Sequence, residues 1–133
     1  MDRKIIASAA SVLALAVVLG AFGAHALKAR LSPEHLGQWR TGVEYQFYHG
    51  LGLLLLVALG DQLPARALKG VTWCFLAGIV FFSGSLYLLS TRELSGMDGI
   101  ARIAGPMTPI GGLFFIVGWL WLLITVLRSP SRG

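Results

Sequence analysis

The sequence predicts an all-α membrane protein, a four-transmembrane-helix bundle with a short interfacial helix between helices one and two. Composition carries the first half of that statement. Mean hydropathy is +0.74, and 56% of residues are hydrophobic against 13% charged, too few charges to cover a soluble domain of 133 residues. Spacing carries the second half, because the apolar residues gather into runs of the length that crosses a ~30 Å hydrocarbon core at ~1.5 Å per residue. A chain of this length makes one domain, residues 1–133.

The first helix is expected over 4–27, its apolar run from Ile5 to Leu27 broken only by Ser8, Ser11 and His25. Arg3-Lys4 ahead of it and Ala24-His25-Ala26 at its end imitate a signal peptide with a cleavage site. The expectation is that the segment is kept as a transmembrane helix. Ser32-Pro33-Glu34 then supplies an N-cap followed by proline at the first helical position. Leu36, Trp39 and Val43 recur at helical spacing beside charged Glu34 and Arg40. That pattern predicts an amphipathic surface helix over 33–42, with Trp39 at the membrane interface.

The second span, 43–60, is strongly apolar only from Gly50 onward. It reaches spanning length by running back through Glu44, Tyr45, Gln46, Tyr48 and His49, and a re-entrant segment is the competing reading. Asp61-Gln62-Leu63-Pro64 ends it sharply. The third and fourth spans are expected over 70–91 and 104–127. Pro106 and Pro109 should loosen the first turns of the last helix and free backbone carbonyls there.

The net charge of +5 comes from eleven Lys and Arg against six Asp and Glu. The basic residues lie between apolar runs or at the termini and form no stripe, which favours anionic lipid headgroups and argues against nucleic acid. An even number of spans places Arg3, Lys4, Arg66, Lys69, Arg128 and Arg132 on one side, facing Lys28, Arg30, Arg40, Arg92 and Arg102 on the other. Six against five barely engages the positive-inside rule; the expectation is cytoplasmic termini. Cys74 is the single cysteine, so the chain has no internal disulfide and no Cys-based metal spacing.

The expected topology gathers the polar residues of the spans. His25 ends helix one, while Glu44, Tyr45, Gln46 and His49 open helix two. Ser83, Ser85 and Tyr87 close helix three, and Thr108 opens helix four. All should lie within ~12 Å of one membrane face. Polar groups in hydrocarbon usually face protein or water, so these form the candidate binding site. Plainer readings stand beside it: Glu44 pairing with Arg40, serines bridging helices, tyrosines of an interfacial belt. The opposite half is nearly featureless hydrocarbon apart from Trp119 and Trp121. Ala16, Gly20 and Ala24 repeat at intervals of four, and with Gly23, Gly84, Gly111 and Gly112 they are the expected close-packing positions.

Four segments resemble a known pattern in order: Gly20-Ala-Phe-Gly-Ala-His25-Ala-Leu-Lys28; Trp39 with Tyr45-Gln46-Phe-Tyr-His49; Phe82-Ser83-Gly84-Ser85-Leu86-Tyr87; and Thr108-Pro109-Ile110-Gly111-Gly112 with Trp119. They resemble the family catalogued as domain of unknown function 423, which takes in YgdD-like and transmembrane protein 256-like proteins. The resemblance covers nearly the whole chain. It implies a compact four-helix protein of the bacterial inner membrane and implies no activity.

No acidic pair, HExxH or nucleophile–base motif supports catalysis, so the chain is not expected to be an enzyme. Two histidines near one face are a poor haem pair, and no cofactor or metal is expected. The function that remains is binding of membrane lipid or a protein partner, in a homo-oligomer or larger membrane complex. The alternative is an oligomeric transporter or channel for a small solute or protons.

Overall fold

The computed structural model describes residues 2–129. Met1 and residues 130–133 lie outside the described residues, and with them Arg132 of the charge count and the outer limits of the domain 1–133. Every regular element among the described residues is helical. Helix α1 runs Asp2–Phe22 and continues through a π turn, Gly23–Leu27. Helix α2 is Pro33–Ala58. Helix α3 covers Ala65–Thr91, with a π turn at Ile79–Ser83. Helix α4 is Ala101–Arg128 and runs through both Pro106 and Pro109. Short 3-10 turns, Gly60–Gln62 and Asp98–Ile100, sit in the second and third connections.

Three of these helices are long and apolar enough to cross a membrane, over Arg3–Leu27, Ala65–Thr91 and Asp98–Arg128. Their apolar windows are buried very unequally: 17% for the first and last against 50% for α3. Helix α3 is therefore the centre of the bundle, and α1 and α4 turn most of their hydrocarbon outward. Val18 at 62% and Leu127 at 75% exposure are placements a water-facing surface rarely tolerates in such density.

The surface helix expected over 33–42 and the span expected over 43–60 are not separate. They form one helix of 26 residues, about 39 Å long at about 1.5 Å per residue. Its start is the one read from the sequence: the Ser32 hydroxyl accepts the His35 N–H at 3.2 Å, and Pro33 opens the first turn. Nothing breaks the helix at the expected junction. The Thr41 hydroxyl bonds the Gly37 carbonyl, and Gly42 lies within the helix, its missing Cβ making room for the Tyr87 ring, which a Cβ would approach to 2.8 Å. Trp39 packs inside the bundle. It is 6% exposed, sits 4.7 Å from the Tyr87 ring, and donates its indole N–H to the Leu19 carbonyl at 2.9 Å. A tryptophan N–H held inside the bundle needs such an acceptor, and α1 supplies it.

Helix α1 lies along α2, α2 lies against α3, and α3 against α4. At one end Ile5 and Ala9 of α1 meet Leu53 and Leu56 of α2 and Leu68, Val71 and Phe75 of α3. Toward the other end Trp39 and Val43 pack with Leu27, Leu36, Leu19 and Tyr87. Ala16, Gly23 and Gly111 are buried at helix contacts, as the small-residue pattern expects. A Cβ on Gly23 would lie 2.6 Å from Trp39 Nε1, and one on Gly111 would reach the backbone of Phe81 and Phe82 at 2.7 Å. Gly20 and Gly112 make looser contacts, at 3.4 Å to Val43 and 3.8 Å to Phe82. Gly84 has nothing within 4 Å, and Ala24 is exposed, so neither is a packing position here. Helix α4 meets α3 opposite Gly111 and Gly118, not opposite Gly84.

Candidate functional site

The fused α2 changes where the polar residues sit. With ten residues added ahead of Val43, Gln46 falls near the midpoint of Pro33–Ala58 and no longer opens the helix. Its partner on α1, Val12, is likewise well inside Asp2–Phe22. Gln46 therefore lies about 20 Å along α2 from its first residue at about 1.5 Å per residue, while Tyr87 is four residues from the end of α3.

Gln46 is 3% exposed and fully used. Its amide Nε2 donates to the Val12 carbonyl at 2.9 Å, and its Oε1 accepts the Tyr87 hydroxyl at 2.6 Å. One side chain thus ties α1, α2 and α3. Ser83, 0% exposed, donates to the Gly42 carbonyl at 2.7 Å. The hydroxyls of Ser85 and Thr108 are hydrogen-bonded at 2.6 Å, either able to donate, which joins α3 to α4. Ser85 also reaches the Phe82 carbonyl at 2.9 Å. Each of these groups finds a partner within the protein, as buried polar atoms in a low-dielectric setting should.

His49 does not join them. It lies one turn along from Gln46 and faces α4. The ring is 4% exposed and stacks on Phe115 with centroids 3.5 Å apart at 8°, while Phe75 meets it edge-on at 5.2 Å. Trp119 Nε1, which can only donate, bonds His49 Nε2 at 3.1 Å. The proton of a neutral ring must then sit on Nδ1, where it donates to the Tyr45 carbonyl at 2.8 Å. With both nitrogens occupied, His49 is a neutral, oriented ring.

Above that ring lies a cleft of about 450 Å³ between α2 and α4, floored by α3. Tyr45, Tyr48, Phe82, Phe115, Ile116 and Trp119 form its walls. Tyr45 and Phe82 rings are 4.7 Å apart, and Tyr45 and Tyr48 are 5.6 Å apart. Tyr45 is 38% and Tyr48 55% exposed, so the cleft opens sideways, on the flank of the bundle. Neither tyrosine hydroxyl has a hydrogen-bond partner among the described residues.

The remaining expected residues lie elsewhere. His25 is exposed on the π turn of α1 and joins none of these bonds. Glu44 is exposed beside a smaller hollow of about 130 Å³ that Arg40, Trp39 and Gly23 also line. It makes no ion pair with Arg40; among the described residues the one such contact is His35 Nδ1 to Glu93 Oε2 at 3.9 Å, an ion pair only when the imidazole is protonated. No group of three His, Cys, Asp or Glu side chains among the described residues could hold a metal.

The sequence reading missed Trp119, Phe115 and the carbonyls of Val12 and Gly42. Trp119 carried a signal, since an indole N–H in an apolar run needs an acceptor and His49 is the nearest polar ring. The carbonyls carried none, because every residue has one.

A family model described as protein of unknown function (DUF423) matches residues 19–112. The chain is 42% identical over 115 residues to the UPF0382 membrane protein YwdK of Bacillus subtilis, covering 86% of this chain and 88% of that protein. It is 46% identical over 110 residues to a UPF0382 membrane protein of Staphylococcus saprophyticus, covering 83% and 85% of the two chains. A Staphylococcus haemolyticus protein of the same description is 41% identical over 114 residues, covering 86% and 87%. No solved structure matches the chain.

Proposed function

This chain belongs to the DUF423 family of membrane proteins, whose description assigns no activity, and from that starting point we propose that it is a non-enzymatic, lipid-binding protein of the bacterial inner membrane. In this reading all four helices span the bilayer, α2 included, with the polar first turns of α2 near the headgroups and both termini on the cytoplasmic side. The protein works as a small accessory subunit, alone or in an oligomer. The hydrocarbon chain of a membrane lipid enters the cleft between α2 and α4 from the side, against His49 and Phe115.

One observation carries the reading: the cleft is aromatic, about 450 Å³, and bordered by the exposed Tyr45 and Tyr48. Its size falls within the range of small-molecule sites. Its lining is almost wholly aromatic and aliphatic, which suits the hydrocarbon chain of a lipid. The hydrogen-bonded network of Gln46, Tyr87, Ser85 and Thr108 is then the scaffold that holds α2, α3 and α4 around the cleft, and the ligand does not displace it.

Photocrosslinking with a diazirine-bearing phospholipid in bilayers tests this. Adducts should concentrate on Tyr45, Tyr48 and Ile116 relative to Val17 and Val18 of α1, which are as exposed but line no cleft. Ile116→Trp, which fills the cleft, should erase the excess and leave the α1 adducts unchanged. Equal labelling of both surfaces, indifferent to Ile116→Trp, would sink the proposal.

A further inference from the structure

A second groove lies on the other side of the bundle, between the first halves of α1 and α3, and it differs from the aromatic cleft in chemistry. It encloses about 620 Å³. Ile5 and Ser8 wall it on α1, Trp73 and Leu76 on α3, and Lys4 and Lys69 stand at one end. None of the described residues lining it is acidic. Thr72, also in the wall, spends its hydroxyl on the Leu68 carbonyl at 2.8 Å, so beyond the lysines and the Ser8 hydroxyl the groove is mostly apolar.

The order of these residues along the helices fixes the polarity of the groove. Lys4 is within the first turn of α1, and Lys69 within the first two turns of α3. Ser8 lies about 6 Å further along α1, and Leu76 about 10 Å further along α3, at about 1.5 Å per residue. The two helices enter from the same face, so both cations stand at the mouth and the apolar walls lead inward. An amphiphile with an anionic head and a hydrocarbon chain fits that sequence of surfaces in one orientation only.

We propose that this groove is a site for an anionic phospholipid. The phosphate sits between Lys4 and Lys69, and one acyl chain runs inward along Ile5 and Leu76 with Trp73 closing over it. Lysine binds phosphate as a point charge with a flexible stem, which suits a headgroup site at the rim of a bilayer. Trp73 is 63% exposed, and an indole at the edge of hydrocarbon adds a flat lid to the chain. The groove and the aromatic cleft share no residue, so this site stands or falls independently of the proposed function.

The test is fluorescence quenching of the full-length protein in phosphatidylcholine bilayers by brominated phosphatidylglycerol, compared with brominated phosphatidylcholine. The native protein should be quenched preferentially by the anionic lipid, and Trp73→Phe should remove that preference because the quenched indole is gone. Lys4→Gln with Lys69→Gln should weaken the preference about 25-fold, from about fivefold for each lysine near an anionic surface. Ser8→Phe, which fills the groove and keeps both charges, should weaken it too, while Lys4→Arg with Lys69→Arg should retain it. Arg66→Gln with Arg128→Gln removes the same charge from the same face outside the groove and should leave the preference intact. Absence of a preference in the native protein overturns the proposal. So does a preference that survives Trp73→Phe, or an equal loss in the Arg66/Arg128 variant, which would mark diffuse attraction to the surface.

Discussion

The hydroxyl of Tyr87 donates to Oε1 of Gln46 at 2.6 Å, and that bond spans from the third helix to the second near the middle of both α2 and the bundle. Gln46 in turn holds the Val12 carbonyl. Breaking either side chain leaves the other partner unsatisfied where water is scarce. In a double-mutant cycle of Gln46→Leu and Tyr87→Phe, the coupling should lie between about 0.6 and about 1.7 kcal/mol, the span found for hydrogen bonds between membrane helices. Reversible unfolding in mixed micelles reads it directly. A coupling indistinguishable from zero would show the bond to be incidental.

Gly111 and Gly84 make a sharper pair of tests, because a sequence pattern ranks them alike and the structure does not. A Cβ on Gly111 meets the backbone of Phe81 and Phe82, which cannot rotate away. Gly111→Ala should therefore push α4 off α3 and destabilise by about 1–3 kcal/mol, the usual range for overpacking. Gly84→Ala meets open space and gains helix propensity, so it should be neutral or stabilising by up to about 1 kcal/mol. Thermal melts in one detergent, with α4 packing followed by crosslinking at Phe81 and Phe114, distinguish the two. Equal effects would mean that α3 and α4 do not approach at Gly111.

Much of this architecture is legible in the residues themselves. Long apolar runs announce helices able to cross a membrane, and Ser32-Pro33 announces the start of α2 to the residue. With the expected up-and-down topology, the positions of Gln46, Ser85, Tyr87 and Thr108 bring polar groups of three helices toward the same end, and these bond as Gln46–Tyr87 and Ser85–Thr108. Three things are hidden, each for a physical reason. Acceptors such as the Val12 and Gly42 carbonyls have no side-chain signature. The π turns at Gly23–Leu27 and Ile79–Ser83 are settled by packing, not by local preference. The continuity of α2 is hidden by its change of character at Val43, since polar and apolar halves read as two helices although nothing between them ends one. The partner of His49 is hidden in another way: Trp119 shows as an indole in an apolar stretch, but only the packing of α4 on α2 pairs it with that ring.

The continuity of α2 has its own measurable consequence. Hydrogen exchange in bilayers should show amides from Trp39 to Gln46 protected as one block, since each bonds the carbonyl four residues back. Arg40 and Glu44, both exposed, should be more mobile at their side chains than Trp39 and Val43, both buried. A hinge between a surface helix and a separate span would appear as fast exchange around Gly42. Tyr87→Ala, which removes the ring seated on Gly42, is the variant most apt to open the block. Protection lost there even in the native protein would refute the single helix.

The last expectation concerns the state of His49, which a spectrum can report without any assay of function. Trp119 has a donor and no acceptor, so the bond at 3.1 Å requires a bare Nε2 on the imidazole. The Tyr45 carbonyl at 2.8 Å requires a proton on Nδ1. The ring should therefore be the neutral Nδ1-protonated tautomer, the minor form of free histidine, and solid-state spectra of ring-labelled protein should show one protonated and one unprotonated nitrogen in that arrangement. Trp119→Phe removes the donor and keeps an aromatic wall. It should free the tautomer to exchange and lower stability by about 0.6 to 1.7 kcal/mol, because Nε2 is left unpaired among Phe75 and Phe115. His49→Phe with Trp119→Phe, which replaces both partners by rings of similar shape, should recover most of that loss, since two apolar groups leave nothing unsatisfied. If the native spectrum instead shows the proton on Nε2, the indole bond does not exist, and His49 faces the cleft as a free donor ready for a ligand.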